Sequence, residues 1–273
     1  MRVSMGGAGR MQDFQSRDQS RPTGRDLTGV TYFASQVVSL LADRNARSVP
    51  EMRETLVNGM IRASVSGTSD AFAELLTEMR RARISLAALA DIYIPTAARR
   101  MGEAWLADEM SWLDVSIGTG RLQSLLREIG NAWAADQAGD TGQGTILLIV
   151  PDQEQHTLGP MVAMGQMRRY GVSVCLRIAP NTNELRSLLA ARAFDGVMIS
   201  IATQNKLPAV AKTVKFLKSI ASTPIPIVVG GAVMLAVEDL ASCTGADHAS
   251  NDIGSALEVI GLKFDAFCVL RRA

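Results

Sequence analysis

Histidine is almost missing. The chain of 273 residues has two, His156 and His248. A histidine-rich metal cluster is therefore excluded, and each histidine must be read from its surroundings. Cysteine is nearly as scarce. Cys175, Cys243 and Cys268 form no C-x-x-C pair. An odd, scattered set argues against a disulfide framework and for a reducing compartment. Cys175 lies in a strand-like run and reads as a small core residue. No run reaches the roughly 18 apolar residues that a membrane helix needs. Charge of one sign is lacking too. The net charge is +1 and the pI about 7.7, which call for neither nucleic acid nor an anionic membrane. No signal peptide is visible, so the expected location is the cytoplasm. Residues 1–29 hold five arginines, three aspartates and few apolar side chains, the composition of a disordered tail, with Met5 and Met11 as candidate alternative starts.

What is present divides into two halves. From about 30 to 136 the apolar spacing is helical. Val30, Phe33, Val37, Leu40 and Leu41 make a first stripe. Pro50 is placed as a first-turn proline for the next helix, which carries Met52, Leu56, Met60 and Ile61. Ser69 and Asp70 are candidate caps for a third, and two longer segments follow near 84–106 and 111–133. Short connections between them predict an antiparallel all-α bundle over 30–136. The polar, glycine-rich stretch at 137–144 reads as a linker.

Beyond it the pattern changes. TILLIV (145–150), VSVCLRI (172–178), GVMISI (196–201) and PIVVGG (226–231) are short, Val/Ile-rich runs, with a weak fifth near 247–250. Helical patterns near 160–170, 182–193, 205–221, 232–241 and 253–262 separate them. Strands apolar on both faces, alternating with helices, predict a parallel sheet covered on both sides. The fold class is α/β: a flavodoxin-like, doubly wound, five-stranded domain over 145–262, with a short tail at 263–273.

Ligands of such sheets bind beyond the carboxyl ends of the strands. Three features fall at that edge: Glu154, His156 and Gly159 as E-x-H-x-x-G, then Ser200, then Gly230–Gly231. Each also has a plain reading. The histidine can be solvated, Ser200 can satisfy backbone, and the glycines can make a tight turn. The functional alternative is a metal-ligating imidazole whose second ring nitrogen is held by a carboxylate.

Together the three features resemble the cobalamin-binding domain of the methionine synthase and methylmalonyl-CoA mutase type, which carries D-x-H-x-x-G, S-x-L and G-G on these loops. The spacings, 44 residues from His156 to Ser200 and 30 more to Gly230, are of that kind. The resemblance implies base-off cobalamin, in its hydroxo or adenosyl form, with His156 as lower cobalt ligand. It implies Thr157, Leu158 and Gly159 beside the corrin, and Ser200, Ala202, Gly230 and Gly231 around the displaced nucleotide tail. There are two departures. Glu154 replaces the family's Asp and reaches one methylene further; Ala202 replaces the leucine.

Residues 94–128 carry I-P and M-G-x-x-W, and resemble the helical cap that covers the corrin's upper face. Trp105 is then a candidate for that face or for bundle core, and Trp112 is expected in the core. Light-sensing CarH-type relatives carry a Glu-His pair in the next helix. Asp114 and Val115 stand there, so no upper histidine ligand comes from this position. No helix-turn-helix precedes the cap, so direct sequence-specific DNA binding is not expected. The order of parts is similar to the PpaA/AerR family of purple photosynthetic bacteria. That resemblance implies a light-responsive antirepressor that binds a PpsR/CrtJ-type transcription repressor and is not an enzyme. A corrinoid methyl carrier of a methyltransferase system is the alternative. His248 is expected to be solvated, in the loop after the fifth strand.

Overall fold

The computed structural model describes residues 52–66, 68–136 and 142–263. The expected N-terminal tail, the stripe from Val30 to Leu41, Pro50 and most of the C-terminal tail lie outside the described residues, as do positions 137–141 of the linker.

The bundle comes first. Helix α1 (Glu54–Ser66) buries Leu56, Val57, Met60 and Ala63, three to four residues apart, so that they share one face. Met52 and Arg53 precede it in non-helical backbone, and Met52 is exposed rather than on the buried stripe. Helix α2 (Ser69–Ala82) starts one residue earlier than its expected caps. The Thr68 hydroxyl accepts the Ala71 N–H at 3.4 Å, and Ser69 and Asp70 lie within the helix. The segment expected as one helix near 84–106 has three parts. A short α-turn (Leu86–Ala88), capped by the Ser85 hydroxyl, runs into a π-helical turn (Leu89–Tyr93) and then α3 (Ile94–Leu106). The π-turn places an acidic side chain, Asp91, on the face toward the second half. Helix α4 (Trp112–Asp136) closes the bundle, whose core holds Met60, Met79, Leu89, Tyr93, Ile94, Met101, Leu122 and Ile129.

The second half is a five-stranded, all-parallel sheet in the order β2-β1-β3-β4-β5. The strands are β1 (Thr145–Val150), β2 (Ser173–Ile178), β3 (Gly196–Ser200), β4 (Ile227–Gly230) and β5 (His248–Ala249). Successive side chains alternate between faces. Leu147 and Ile149 join one core with α6 (Thr182–Ala191), α7 (Leu207–Ile220) and α8 (Leu240–Thr244). Ile146 and Leu148 join another with α5 (Leu158–Arg169) and α9 (Ile253–Ile260). Covering on both faces explains why TILLIV is apolar throughout. The helix expected near 232–241 is instead a 3₁₀ turn (Ala232–Leu235) and the short α8, which Asp239 caps. His248 lies within β5 and is half-buried, not in the loop beyond it.

Helix α5 joins the halves. Met167 faces the sheet, while Leu158, Met161 and Val162 pack on the bundle core. Near its end, buried Arg169 donates to the carboxylate of Asp91 in the π-turn.

Candidate functional site

The chain leaves β1 toward β2 on one side and returns through β3 on the other, so the loops after β1 and β3 flank the switch point. One side chain spans that crevice. Glu154 is anchored by its N–H to the Pro151 carbonyl at 3.3 Å, and its carboxylate is only 3% exposed. Oε1 accepts the His156 backbone N–H at 3.1 Å and meets the His156 ring at Nδ1, 2.6 Å away. Oε2 accepts the Ala202 N–H, from the loop after β3, at 3.1 Å. The extra methylene of Glu154 is therefore used: one carboxylate holds the ring and ties two loops together. Burial raises the Glu154 carboxyl, but the donors on His156 and Ala202 outweigh it and hold the group below the ordinary glutamate range.

A carboxylate acceptor at Nδ1 assigns the ring proton to that nitrogen and leaves the lone pair on Nε2. The ring is 69% exposed. Nε2 is thus the free coordinating atom at the carboxyl edge of the sheet. Among the described residues no three His, Cys, Asp or Glu side chains group as a metal site, so His156 can hold a metal only as a lone protein ligand.

The glycines divide into two kinds. A Cβ on Gly230 would lie 2.3 Å from the Ser250 carbonyl oxygen, and one on Gly231 2.3 Å from that of Ile201. Gly231 also has φ +113°, which side chains rarely adopt. Protein backbone alone requires these two glycines. Gly159, in the first turn of α5, is the opposite case. Its φ is ordinary, and a Cβ there would meet no atom within 4 Å. The fold itself makes no demand for glycine at 159. Ser200 ends β3 half-buried, in register with Gly230, and brings the β3 and β4 loops together.

The bundle reaches this edge through Gln123, whose Nε2 donates to the Thr157 hydroxyl at 3.0 Å. Leu158, beside it, packs on the bundle core. Trp112, Ser116, Thr119 and Gln123 share one face of α4, so a stripe runs from the His156 loop to the bundle tip. Trp112 is 67% exposed, and its expected place in the core is wrong; Trp105 is 45% exposed and is not core either. The two line a shallow hollow at the tip with Asp108, Glu109, Met110 and Ser111. The sequence pattern singled out Glu154, His156, Gly159 and Ser200, which share the carboxyl edge. It missed Gln123, Asp91 and Arg169, because partners 34 and 78 residues apart leave no local signature.

No family model matches the sequence. Among solved structures, the fold is similar to the monomethylamine corrinoid protein of Methanosarcina barkeri, with TM-score 0.59, 12% identity, 75% of this chain and 94% of that chain covered. A cobalamin-binding protein from Desulfitobacterium hafniense gives a TM-score of 0.36 at 14% identity, over 75% of this chain and 97% of that one. No helix among the described residues is long and apolar enough to cross a membrane. At the level of sequence, 188 residues, 69% of this chain, are 36% identical to 98% of an uncharacterized 20.5 kDa protein in the bchF-crtJ intergenic region of Rhodobacter capsulatus. Identity of that extent places the chain in one family with this Rhodobacter capsulatus protein.

Proposed function

We propose that the protein is a cobalamin-binding, light-responsive transcriptional regulator. It acts as an antirepressor by binding a PpsR/CrtJ-type repressor rather than DNA, and it is not an enzyme. The observation that carries the reading is the Glu154–His156 pair: a buried carboxylate fixes Nδ1 and leaves an exposed Nε2 at the switch point. A corrin ring supplies four equatorial nitrogens, so a single imidazole is the donor set it requires. Gly159 supports the fit, since its missing Cβ keeps open a space that no protein atom fills. A solved structure of similar fold is that of a corrinoid protein, which supports the cofactor half of the reading. The regulatory half rests on the family relative from the bchF-crtJ photosynthesis gene region.

In this reading His156 Nε2 would hold the cobalt of the corrinoid, and Glu154 fixes the tautomer that would make it a ligand. Thr157, Leu158 and Gly159 lie beside the corrin. Ser200, Ala202, Gly230 and Gly231 surround the nucleotide tail. Trp105 and Trp112, exposed at the bundle tip, would cover the corrinoid from the bundle side. When bound, hydroxo- or adenosylcobalamin supplies an exchangeable upper ligand and, in the adenosyl form, a light-labile cobalt–carbon bond. The bundle registers that difference only if two of its positions differ in free energy between the forms. Gln123 and Asp91 are the bonds through which such a shift reaches the α/β half.

The test is an absorption spectrum. The full chain is incubated in the dark with adenosylcobalamin or hydroxocobalamin, desalted and measured beside His156→Ala. A retained corrin with a histidine-ligated spectrum, absent from the variant, is expected. Illumination should change both the spectrum and the binding of a PpsR/CrtJ-type repressor. A protein that retains neither form refutes the reading. Retention with turnover of methyl groups, and no effect of light on repressor binding, moves it to the methyl carrier.

A further inference from the structure

A further polar side chain, Asn251, lies at the carboxyl edge of the sheet. Asn251, in the loop between β5 and α9, brackets the Gly231 peptide from both sides. Its Oδ1 accepts the Gly231 N–H at 2.6 Å, and its Nδ2 donates to the Gly231 carbonyl at 3.3 Å. Gly231 needs such a hold. At φ +113° the residue holds a conformation that glycine alone adopts readily, and glycine loses more freedom on ordering than any other residue. The loop is tied on its other side as well. The Ile201 N–H donates to Gly230 at 2.8 Å, and the Val233 N–H donates to Ile201 at 3.2 Å.

These bonds join a longer chain. His156 is held by Glu154, Glu154 by the Ala202 N–H, the neighbouring Ile201 by Gly230 and Val233, and Gly231 by Asn251. Loops after β1, β3, β4 and β5 are thereby tied in sequence across one edge. Asn251 is the terminal clamp. It is exposed and lies in no hydrophobic core, so it holds the loop's shape without supporting the fold.

We propose that Asn251 is a positioning residue for the nucleotide tail of the bound corrinoid: by clamping Gly231 it fixes the wall of the tail slot at the β4 loop. The proposal rests on the cobalamin reading above. Its effect falls on the tail first, because the clamp touches the β4 loop directly and lies three strands away from the His156 loop in the sheet order.

The test uses two corrinoids, hydroxocobalamin and cobinamide, which lacks the nucleotide tail. Affinities of the full chain are compared with those of Asn251→Ala and Asn251→Asp. The expected result for Asn251→Ala is a loss of about tenfold for hydroxocobalamin and under about twofold for cobinamide, the scale of a lost hydrogen-bonded clamp. Asn251→Asp keeps the acceptor for the Gly231 N–H and should recover most of the loss, to within about threefold of wild type. Faster hydrogen exchange at the Gly231 amide in Asn251→Ala, measured without any corrinoid, is expected alongside. Equal loss for both corrinoids, or loss for neither, overturns the proposal while the wild type still binds. A wild type that binds neither corrinoid refutes the functional reading first, and the proposal with it.

Discussion

The two sides of the candidate site are built differently. Below, on the α/β half, the loops at the carboxyl edge are fixed by side-chain hydrogen bonds and close backbone packing. Glu154 is buried against two loops, and Gly230 and Gly231 press on the carbonyls of Ser250 and Ile201. Above, at the bundle tip, Trp105, Leu106, Trp112 and Leu113 are exposed. Among the described residues, what ties the bundle to the lower half near the site is one neutral hydrogen bond, Gln123 to Thr157, and the packing of Leu158, Met161 and Val162 on the bundle core. The Asp91–Arg169 pair lies at the far end of α5. The difference assigns ligand geometry to the lower half and adjustability to the upper one. A receptor has to be shaped before its ligand arrives, whereas a cover that reports on the ligand has to retain some freedom.

The comparison breaks most readily at Gly231. Gly231→Ala combines a positive φ with a Cβ placed 2.3 Å from backbone that cannot rotate away. The expected cost exceeds about 3 kcal/mol, from strain and clash together. Urea unfolding measures it. A loss under about 1 kcal/mol would show that the β4 loop yields, and that the lower half is not a rigid receptor.

The interface pair comes next. Asp91→Leu alone takes both the charge and the acceptor of this side chain from buried Arg169 and should cost about 3 kcal/mol, whereas Asp91→Leu with Arg169→Met should stay within about 1 kcal/mol of wild type. Burial raises the Asp91 carboxyl above the ordinary range, and Arg169 only partly opposes this. A raised folded-state value means that the folded protein takes up this proton at higher pH than the unfolded chain does. The group's contribution to stability therefore grows as pH falls through the folded value, until the unfolded carboxyl is protonated too. That part of the pH–stability profile should vanish in Asp91→Asn. If it persists, Asp91 is not the group responsible.

The α/β half was legible because its signals are local. Short, continuous apolar runs gave strands at 145–150 and 227–230 almost to the residue, and E-x-H-x-x-G, Ser200 and Gly-Gly fell on one edge as parallel topology demands. The bundle was legible as helices but not in detail. The π-turn at Leu89–Tyr93 leaves the apolar spacing readable on both sides, so its one-residue offset is hidden. Trp112 looks like core by residue type, yet its stripe continues through Ser116 and Thr119 to Gln123, small polar residues that do not mark a buried face. The reach of Glu154 to Ala202 depended on a loop shape that no spacing encodes.

A smaller effect sharpens the upper side. Gln123→Leu should cost about 1 kcal/mol of stability, the worth of one partly buried neutral hydrogen bond. A double-mutant cycle with Thr157→Val isolates the pair, and a coupling near zero would mean that the bundle does not communicate with the His156 loop by this bond. If the upper half is the adjustable one, Gln123→Leu should leave the histidine-ligated spectrum intact while weakening the effect of illumination on repressor binding.

The smallest expected change in stability is at Gly159, and it separates the two kinds of glycine most clearly. In the first turn of α5 it has ordinary helical backbone, with open space where a Cβ would lie. Alanine there removes conformational freedom from the unfolded chain and adds a good helix former, so Gly159→Ala should raise stability by up to about 1 kcal/mol. Nothing in the folded chain opposes the substitution. A ligand lying against the backbone beside His156 would oppose it, because the added methyl group enters the space the ligand needs. The two measurements should therefore move in opposite directions: a higher urea midpoint, with weaker retention of hydroxocobalamin. A gain in both would mean that the open space at 159 faces solvent alone, and the lower half would then lose one wall of its receptor while keeping His156. Opposite signs would show that this glycine is required by what binds and not by the fold, the reverse of Gly231 two strands away in the sheet order.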